Sequence, residues 1–318
     1  MARMSRDRVR RPRSLRSHRR KERRRAAGVF VPVVLTSLAA LVVIGVLVYV
    51  EGHDHSPGLP TVGTDDPAHV HALGLNPRDD SLLLATHDGL YEVPKGTSRA
   101  RRIGNGYQDT KGLTVAGPDH LLGSGHPDSG ALQAGLPPHL GLIESRDGGR
   151  SWEAVSLAGD ADFHVLRVVE DLIYGYDAAT ARLLASQDGG KSWTERVSPG
   201  EILDLAANPG NARHLVAATR TGLVTSEDGG RTWETLGFER ALLAWPDERT
   251  LYLLGADGEI YVSADGGRSL TPRGGVGGAP AALYADSDGA LYVALQDRTV
   301  TESSDGGTTW TVRSSPGA

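Results

Sequence analysis

SRDGGRSW (145–152), SQDGGKSW (186–193), SEDGGRTW (226–233), SADGGRSL (263–270) and SSDGGTTW (303–310) are five versions of one phrase. Their aspartates, Asp147, Asp188, Asp228, Asp265 and Asp305, follow one another at intervals of 41, 40, 37 and 40 residues. A period of that length in a strand-rich chain is the spacing of four-stranded propeller blades. Each part of the phrase has a mechanical use. The paired glycines accept the positive φ of a tight turn. The carboxylate can bond backbone and hydroxyl donors of its own loop. The Trp then packs between neighbouring sheets, and Leu270 replaces it in the fourth copy.

Working outward, VHALGLNPRDDSLLLATHDGLYEV from Val70 aligns with ILDLAANPGNARHLVAATRTGLVTS from Ile202. Both read as strand, Asn-Pro turn, strand, short turn, strand, although the first lacks the Asp-Gly-Gly phrase. TLYLLGADGEIYVS near Thr250 and ALYVALQDRTVTES near Ala290 fill the same slots. The units fall at 68–104, 110–156, 161–197, 200–238, 239–275 and 278–315. The expected fold is therefore all-β, a six-bladed propeller over residues 68–315. Ring closure could recruit a further strand from 57–67, and seven blades stay open on this count.

The S-x-D-G-G-x-[ST]-W phrase resembles the Asp-box, or BNR, repeat of sialidases, xyloglucan-degrading enzymes, sortilin-type receptors and a photosystem-assembly factor. HVHALGLNP, GSGHPD, LIESRDGGRSW and DFHVL add a likeness to a bacterial, sialidase-like branch labelled as glycosyl hydrolases. The resemblance implies that the repeated Asp lies between the third and fourth strands of a blade, away from any catalytic centre. The five Asp-box aspartates are accordingly assigned a structural role.

The ends of the charge distribution differ sharply. Residues 1–25 hold thirteen of the 34 Lys and Arg but only Asp7 and Glu22 of the 39 acids, leaving a balance of −16 on the rest. An acidic body lacks the basic patch that binds phosphate backbones, so nucleic acid is not an expected partner. Val29–Val50 carries no charge. Its residues, at about 1.5 Å each, cover about 33 Å and suffice to cross a bilayer. With the basic flank inside, the reading is a cytoplasmic tail (1–28), an uncleaved transmembrane signal anchor (29–50), a linker (51–67) and an extracytoplasmic propeller. Cysteine is absent and both Met residues lie in the tail, which excludes thiolate chemistry and leaves Cu⁺ without soft ligands.

Propellers bind ligands at the end of the channel where first strands begin and second strands end. The repeats place His71, Lys111, His164, Leu203, Ala241 and Ala281 at the first-strand starts. His87-Asp88, His126-Pro127-Asp128, Tyr176-Asp177, Arg220, Asp257 and Gln296-Asp297 stand at the second-strand exits. A ligand face of His71, Asp109, Lys111, His126, Asp128, His164, Tyr176 and Asp177 follows. His69, His71, His87, His126 and His164 form a candidate set for Zn²⁺ or Cu²⁺, since neutral imidazole suits both. The competing reading is a hydrogen-bonded polar rim around a wet channel. His120 and His214 fall at the opposite turn and are expected to be solvated. His139 lies in the insertion 128–141, expected to be an ordered loop over the top.

A glycoside hydrolase is the rival function. It needs two carboxyl groups, or in sialidases a tyrosine nucleophile. The Phe/Tyr-Arg-Ile-Pro motif and the arginine triad of sialidases are missing. Asp88, Asp109, Asp128, Asp177, Asp204 and Asp257 are candidate acids, and nothing selects a pair. The favoured reading is a membrane-anchored binding or assembly module with a protein or glycan partner.

Overall fold

The protein, seen as a computed structural model, is described over residues 67–317. The tail, the span and nearly all of the linker read from the sequence lie outside the described residues. Among the described residues no helix is long and apolar enough to cross a membrane.

Six antiparallel sheets of four strands each, every one paired in chain order, make up the described chain. Blade 1 spans Val70–Arg102, blade 2 Asp109–Ser156 and blade 3 Phe163–Arg196. Blades 4, 5 and 6 span Ile202–Thr235, Ala241–Gly275 and Pro280–Ser314. First strands of consecutive blades touch one another all the way round, including blade 6 against blade 1. The ring thus closes with six blades, and the last draws all four strands from its own unit.

Strand alternation explains the closure. In the second strand of blade 1, Leu82 and Leu84 face a cluster shared with blade 6, whereas Leu83 and Ala85 face one shared with blade 2. The second strand of blade 5 divides likewise: Leu251 and Leu253 face blade 4, and Tyr252 and Leu254 face blade 6. Side chains on a strand point alternately to its two faces, so such continuous apolar runs require cover on both. The six apolar clusters coincide with the six seams between blades.

The Asp-Gly-Gly turns join third to fourth strands at the end opposite the first-strand starts. Ser186 Oγ donates to Asp188 Oδ1 (2.8 Å) and accepts from Gly190 N (2.9 Å). Asp188 in turn accepts from Ser192 N at 2.9 Å and Ser192 Oγ at 2.5 Å. Corresponding bonds recur at Asp147, Asp228 and Asp305. Hydrogen bonds from Ser151 hold the Asp147 carboxyl down at about 2. Trp152, Trp193, Trp233 and Trp310 pack against the seam with the preceding blade, and Leu270 fills that slot in blade 5. Blade 1 lacks the phrase. Its third-to-fourth connection is instead clasped by Arg313 of blade 6, which donates to Val93 O (3.2 Å), Pro94 O (3.0 Å) and Thr97 O.

Two histidines depart from the expectation of solvation. His120 Nε2 lies 2.6 Å from Glu144 Oε1 on the neighbouring strand. His214 is 12 % exposed and meets Trp245 edge to face. Both are drawn in because the hairpin ends of adjacent strands and blades pack closely.

The two glycines of one turn should behave differently. Gly189 (φ 74°) has open space where a Cβ would stand, whereas at Gly190 (φ 82°) a Cβ would lie 2.1 Å from Leu142 Cδ2 of the preceding blade. Gly189→Ala is expected to cost about 1 kcal/mol of backbone strain. Gly190→Ala should cost roughly 1–3 kcal/mol more through overpacking. Denaturant midpoints test this; equal losses would mean the turn does not seat against the neighbouring sheet.

Candidate functional site

The channel mouth is shaped by a recurring irregularity. In blades 1, 2, 3, 4 and 6 the first strand slips register against the second by one residue, at His71, Lys111, His164, Leu203 and Ala281. A bulge leaves its extra residue unpaired and re-aims the side chain. The same device that carries Leu203 and Ala281 in blades 4 and 6 carries two imidazoles and an ammonium in blades 1 to 3.

These groups converge. Asp109 Oδ1 lies 3.2 Å from His71 Nε2 and 3.1 Å from His87 Nδ1. Asp109 Oδ2 lies 3.0 Å from Lys111 Nζ and 3.4 Å from His126 Nδ1. Lys111 Nζ is itself 3.3 Å from His71 Nε2 and 3.4 Å from His87 Nδ1. His69 joins through ring contacts with His71 and His87 at centroid distances of 5.1 and 5.9 Å.

His126 then bridges to a second carboxylate. Its Nε2 is 3.3 Å from Asp162 Oδ2, which is also 3.0 Å from His164 Nε2 and 3.9 Å from His139 Nδ1. His139 is brought in by the insertion, which begins with a five-residue helix, Ser129–Gln133. Leu140 N donates to Gly125 O, Gly141 N to Ala161 O and Gly159 N to His139 O, so the loop is pinned over the seam of blades 2 and 3. Gly125 permits the close approach beneath it: at φ 140° a Cβ there would stand 2.0 Å from Asp109 O.

The electrostatics follow from this arrangement. Burial opposes ionisation of Asp109, but bonds from His126, His71 and His87 and the charge of Lys111 hold its carboxyl well below the usual range. Asp162 is likewise held down, with bonds from His126 and His164 outweighing burial. His126, between the two carboxylates, is raised to about 9. Burial pushes His71 down to about 4, with the Asp109 bond opposing and Lys111 adding to the fall. The face therefore carries two anions, two cations and neutral imidazoles.

Not every expected member is there. Tyr176 is buried in the apolar seam between blades 3 and 4, because strand alternation turns it toward blade 4. Asp177 is fully buried and accepts from Asp162 N (3.0 Å), Ala179 N (3.2 Å), Arg182 Nη2 (2.9 Å) and Thr180 Oγ1. It holds the backbone of the site instead of facing a ligand. Asp128 caps the short helix by accepting from Ala131 N at 2.8 Å. Asp162 was missed, and His139 was not placed among the ligands. Asp162 had a signal: Asp162-Phe163-His164 occupies the slot of Asp109-Thr110-Lys111 and of His69-Val70-His71. His139 had none, since it stands in an insertion that no other blade repeats.

Fold and site together define a six-bladed propeller with a one-sided polar cluster at its mouth. No protein-family model matches the chain, and no curated protein does. Solved structures of propellers are similar to it. A GH74 enzyme of Niastella koreensis is 16 % identical with a TM-score of 0.57, over 79 % of this chain and 46 % of that one. YCF48 bound to D1 peptide is 16 % identical with a TM-score of 0.52, over 79 % of this chain and 83 % of that one. The WD40 propeller of Doa1 is 12 % identical with a TM-score of 0.54, over 78 % and 82 %. The chain spans less than half the length of the GH74 enzyme. Likenesses at these identities establish the shared fold.

The depressed His71 value has a stability consequence. An unfolded histidine takes up a proton near 6.5, whereas His71 in the folded chain resists until about 4. Its contribution is complete above 6.5 and is lost as pH falls through that window, on the order of 1–3 kcal/mol. Denaturant midpoints at neutral pH and near the lower limit should fall further for the wild type than for His71→Asn. Equal falls would mean His71 is not held neutral by burial.

Proposed function

We propose that this chain is a membrane-anchored, extracytoplasmic binding or assembly module of the Asp-box lineage, whose ligand face is the top of blades 1 to 3. One observation carries the reading: Asp109, Asp162, Lys111 and six histidines gather on one side of the mouth, while the bulges of blades 4 and 6 present Leu203 and Ala281. Tyr107, Leu132, Leu136 and Leu203 are exposed, and all stand on segments that open at this end. Exposed apolar side chains beside a polar cluster suit a polypeptide partner. That one propeller of similar fold is solved with a bound peptide fits this choice. The uncharged stretch 29–50 after a basic tail supports the anchor and the outside location. The imidazoles of the face suit Zn²⁺ or Cu²⁺.

The glycoside hydrolase reading has the GH74 likeness behind it but lacks a mechanism at this mouth. Hydrolysis needs a carboxylic acid kept protonated beside a second carboxylate. Asp109 and Asp162 are both held ionised. Asp204 is pushed up by burial, but it is enclosed by Arg167 and by the backbone N–H groups of Leu205 and Leu243.

A photo-crosslinking side chain at Tyr107 or Leu203, in the full chain in its own membranes, should give a discrete protein adduct. The same group at Gln187, on a turn at the opposite end, should give none. The adduct should be lost when Asp109→Asn and Lys111→Ala are added. Adducts from Gln187 alone would sink the assignment of the face. So would xyloglucan hydrolysis that Asp109→Asn abolishes.

A further inference from the structure

The top face contains two groupings of two imidazoles and one carboxylate: His71, His87 and Asp109, and His126, His139 and Asp162. They are not equivalent. In the first, the Lys111 ammonium lies within hydrogen-bond reach of both ring nitrogens and of the carboxylate, so a cation already occupies its centre. A dication there would have to displace it. The second grouping has no lysine or arginine among its recorded partners, and its one cation is the His126 ring itself, whose Nε2 proton an arriving dication would release.

It also holds polar atoms with nothing to bond. Asp162 has a side chain only 8 % exposed, and its Oδ1 is buried without a hydrogen-bond partner. His139 Nδ1, aimed at the same carboxylate, is buried and unpartnered too. Buried polar groups are as a rule hydrogen-bonded, so these two atoms call for a partner that the chain does not supply.

We propose that the seam between blades 2 and 3 is a site for one borderline divalent transition ion, Zn²⁺ or Cu²⁺, held by His126 Nε2, His139 Nδ1 and the Asp162 carboxylate. The three ligand atoms lie within 4.8 Å of one another. Bonds of about 2.0–2.2 Å in a tetrahedral site set ligand atoms about 3.3–3.6 Å apart. His126 Nε2 and Asp162 Oδ2 already stand at 3.3 Å, the 3.9 Å between His139 Nδ1 and Asp162 Oδ2 has to close by a few tenths of an ångström, and the unpartnered Asp162 Oδ1 leaves the carboxylate a second oxygen to offer. Nitrogen ligands with a single carboxylate disfavour Ca²⁺ and Mg²⁺, which take oxygen shells.

The surroundings are those of a supported metal site. Ligating imidazoles characteristically give their other ring nitrogen to a carboxylate, which fixes tautomer and orientation. His126 does this through Nδ1 to Asp109. His164 and the buried Asp177 are positioning residues: the first bonds Asp162 Oδ2 and the second accepts from Asp162 N. The pinned loop carries His139 to the third corner. The proposed site keeps His126 from the histidines read from the repeats and adds His139 and Asp162. The inference rests on reading this face as the ligand face, but does not depend on what the protein partner is.

The test uses the full chain in detergent, stripped with chelator and titrated with Zn²⁺ and Cu²⁺ in a His53→Ala, His55→Ala background that removes the linker histidines. One saturable equivalent is expected. His139→Ala should weaken binding roughly tenfold or more, and circular dichroism should stay unchanged because its loop is held by backbone bonds. Asp162→Asn should weaken it similarly, whereas His120→Ala at the opposite end should not. Co²⁺ should give visible absorption with two nitrogen ligands that His139→Ala alters. No saturable binding, or unchanged affinity in His139→Ala, overturns the site. Loss of binding in His71→Ala with His139→Ala unaffected overturns it as well. Crosslinking at Tyr107 is read separately: adducts that persist without metal binding remove only the metal, and metal binding without adducts removes only the partner.

Discussion

A sheet that is apolar on both faces has to be covered twice, and that constraint organises this molecule. Leu82 and Leu84 need one neighbour while Leu83 and Ala85 need another. The same demand repeats from blade to blade until Arg313 returns the last strand to the first blade. No blade can satisfy itself, because each owns only half of either seam. Stability is therefore a property of the closed ring, in which apolar burial at about 25 cal/mol per Å² is shared around the circle.

Closure has a functional by-product. Once first strands line the channel, their starting residues meet at one mouth whatever their chemistry. Alternation alone would leave each of these residues in register with its partner strand. The bulge at His71, Lys111 and His164 removes that restriction and costs little in apolar burial, since Leu203 and Ala281 tolerate it equally. Blade 5 has no such register slip at Ala241 and offers no polar group there. Site and scaffold are thus separable: turns and seams set the wheel, and a few bulged positions decide what it presents.

This separation explains what could be read from the amino-acid order. Repeated turns and alternating apolar runs announce themselves locally, so the six units and their seams were legible residue by residue. His71, Lys111, His126 and His164 were legible too, because they occupy equivalent slots in successive units. Tyr176 and Asp177 stand just short of that slot: Asp177 pairs with Phe163 as Thr86 pairs with Val70 and Gly125 with Thr110, so Ala178 is the counterpart of His87 and His126, and alternation turns Tyr176 into the seam. A misalignment of one or two residues at the end of a strand exchanges a seam residue for a mouth residue, because the side-chain period is two. His139 was hidden for a different reason. Its placement depends on three loop bonds to Gly125, Ala161 and Gly159, a matter of tertiary packing that no repeat encodes.

The two halves of the face are not independent, because one ring belongs to both. His126 touches Asp109 through Nδ1 and Asp162 through Nε2. A group that drew on Asp109 would compete for the carboxylate oxygen that His126 Nδ1 reaches at 3.4 Å. The same ring reaches Asp162 through Nε2, so the two carboxylates share one imidazole. In a buried setting such shared groups strengthen or weaken together, since polarisation passes along a chain of hydrogen bonds. A ligand on the exposed half and an occupant of the seam would therefore be linked through a single imidazole. By reciprocity, each would bias the other by the same free energy. One histidine between two carboxylates joins the two groupings of the face into a single hydrogen-bonded network.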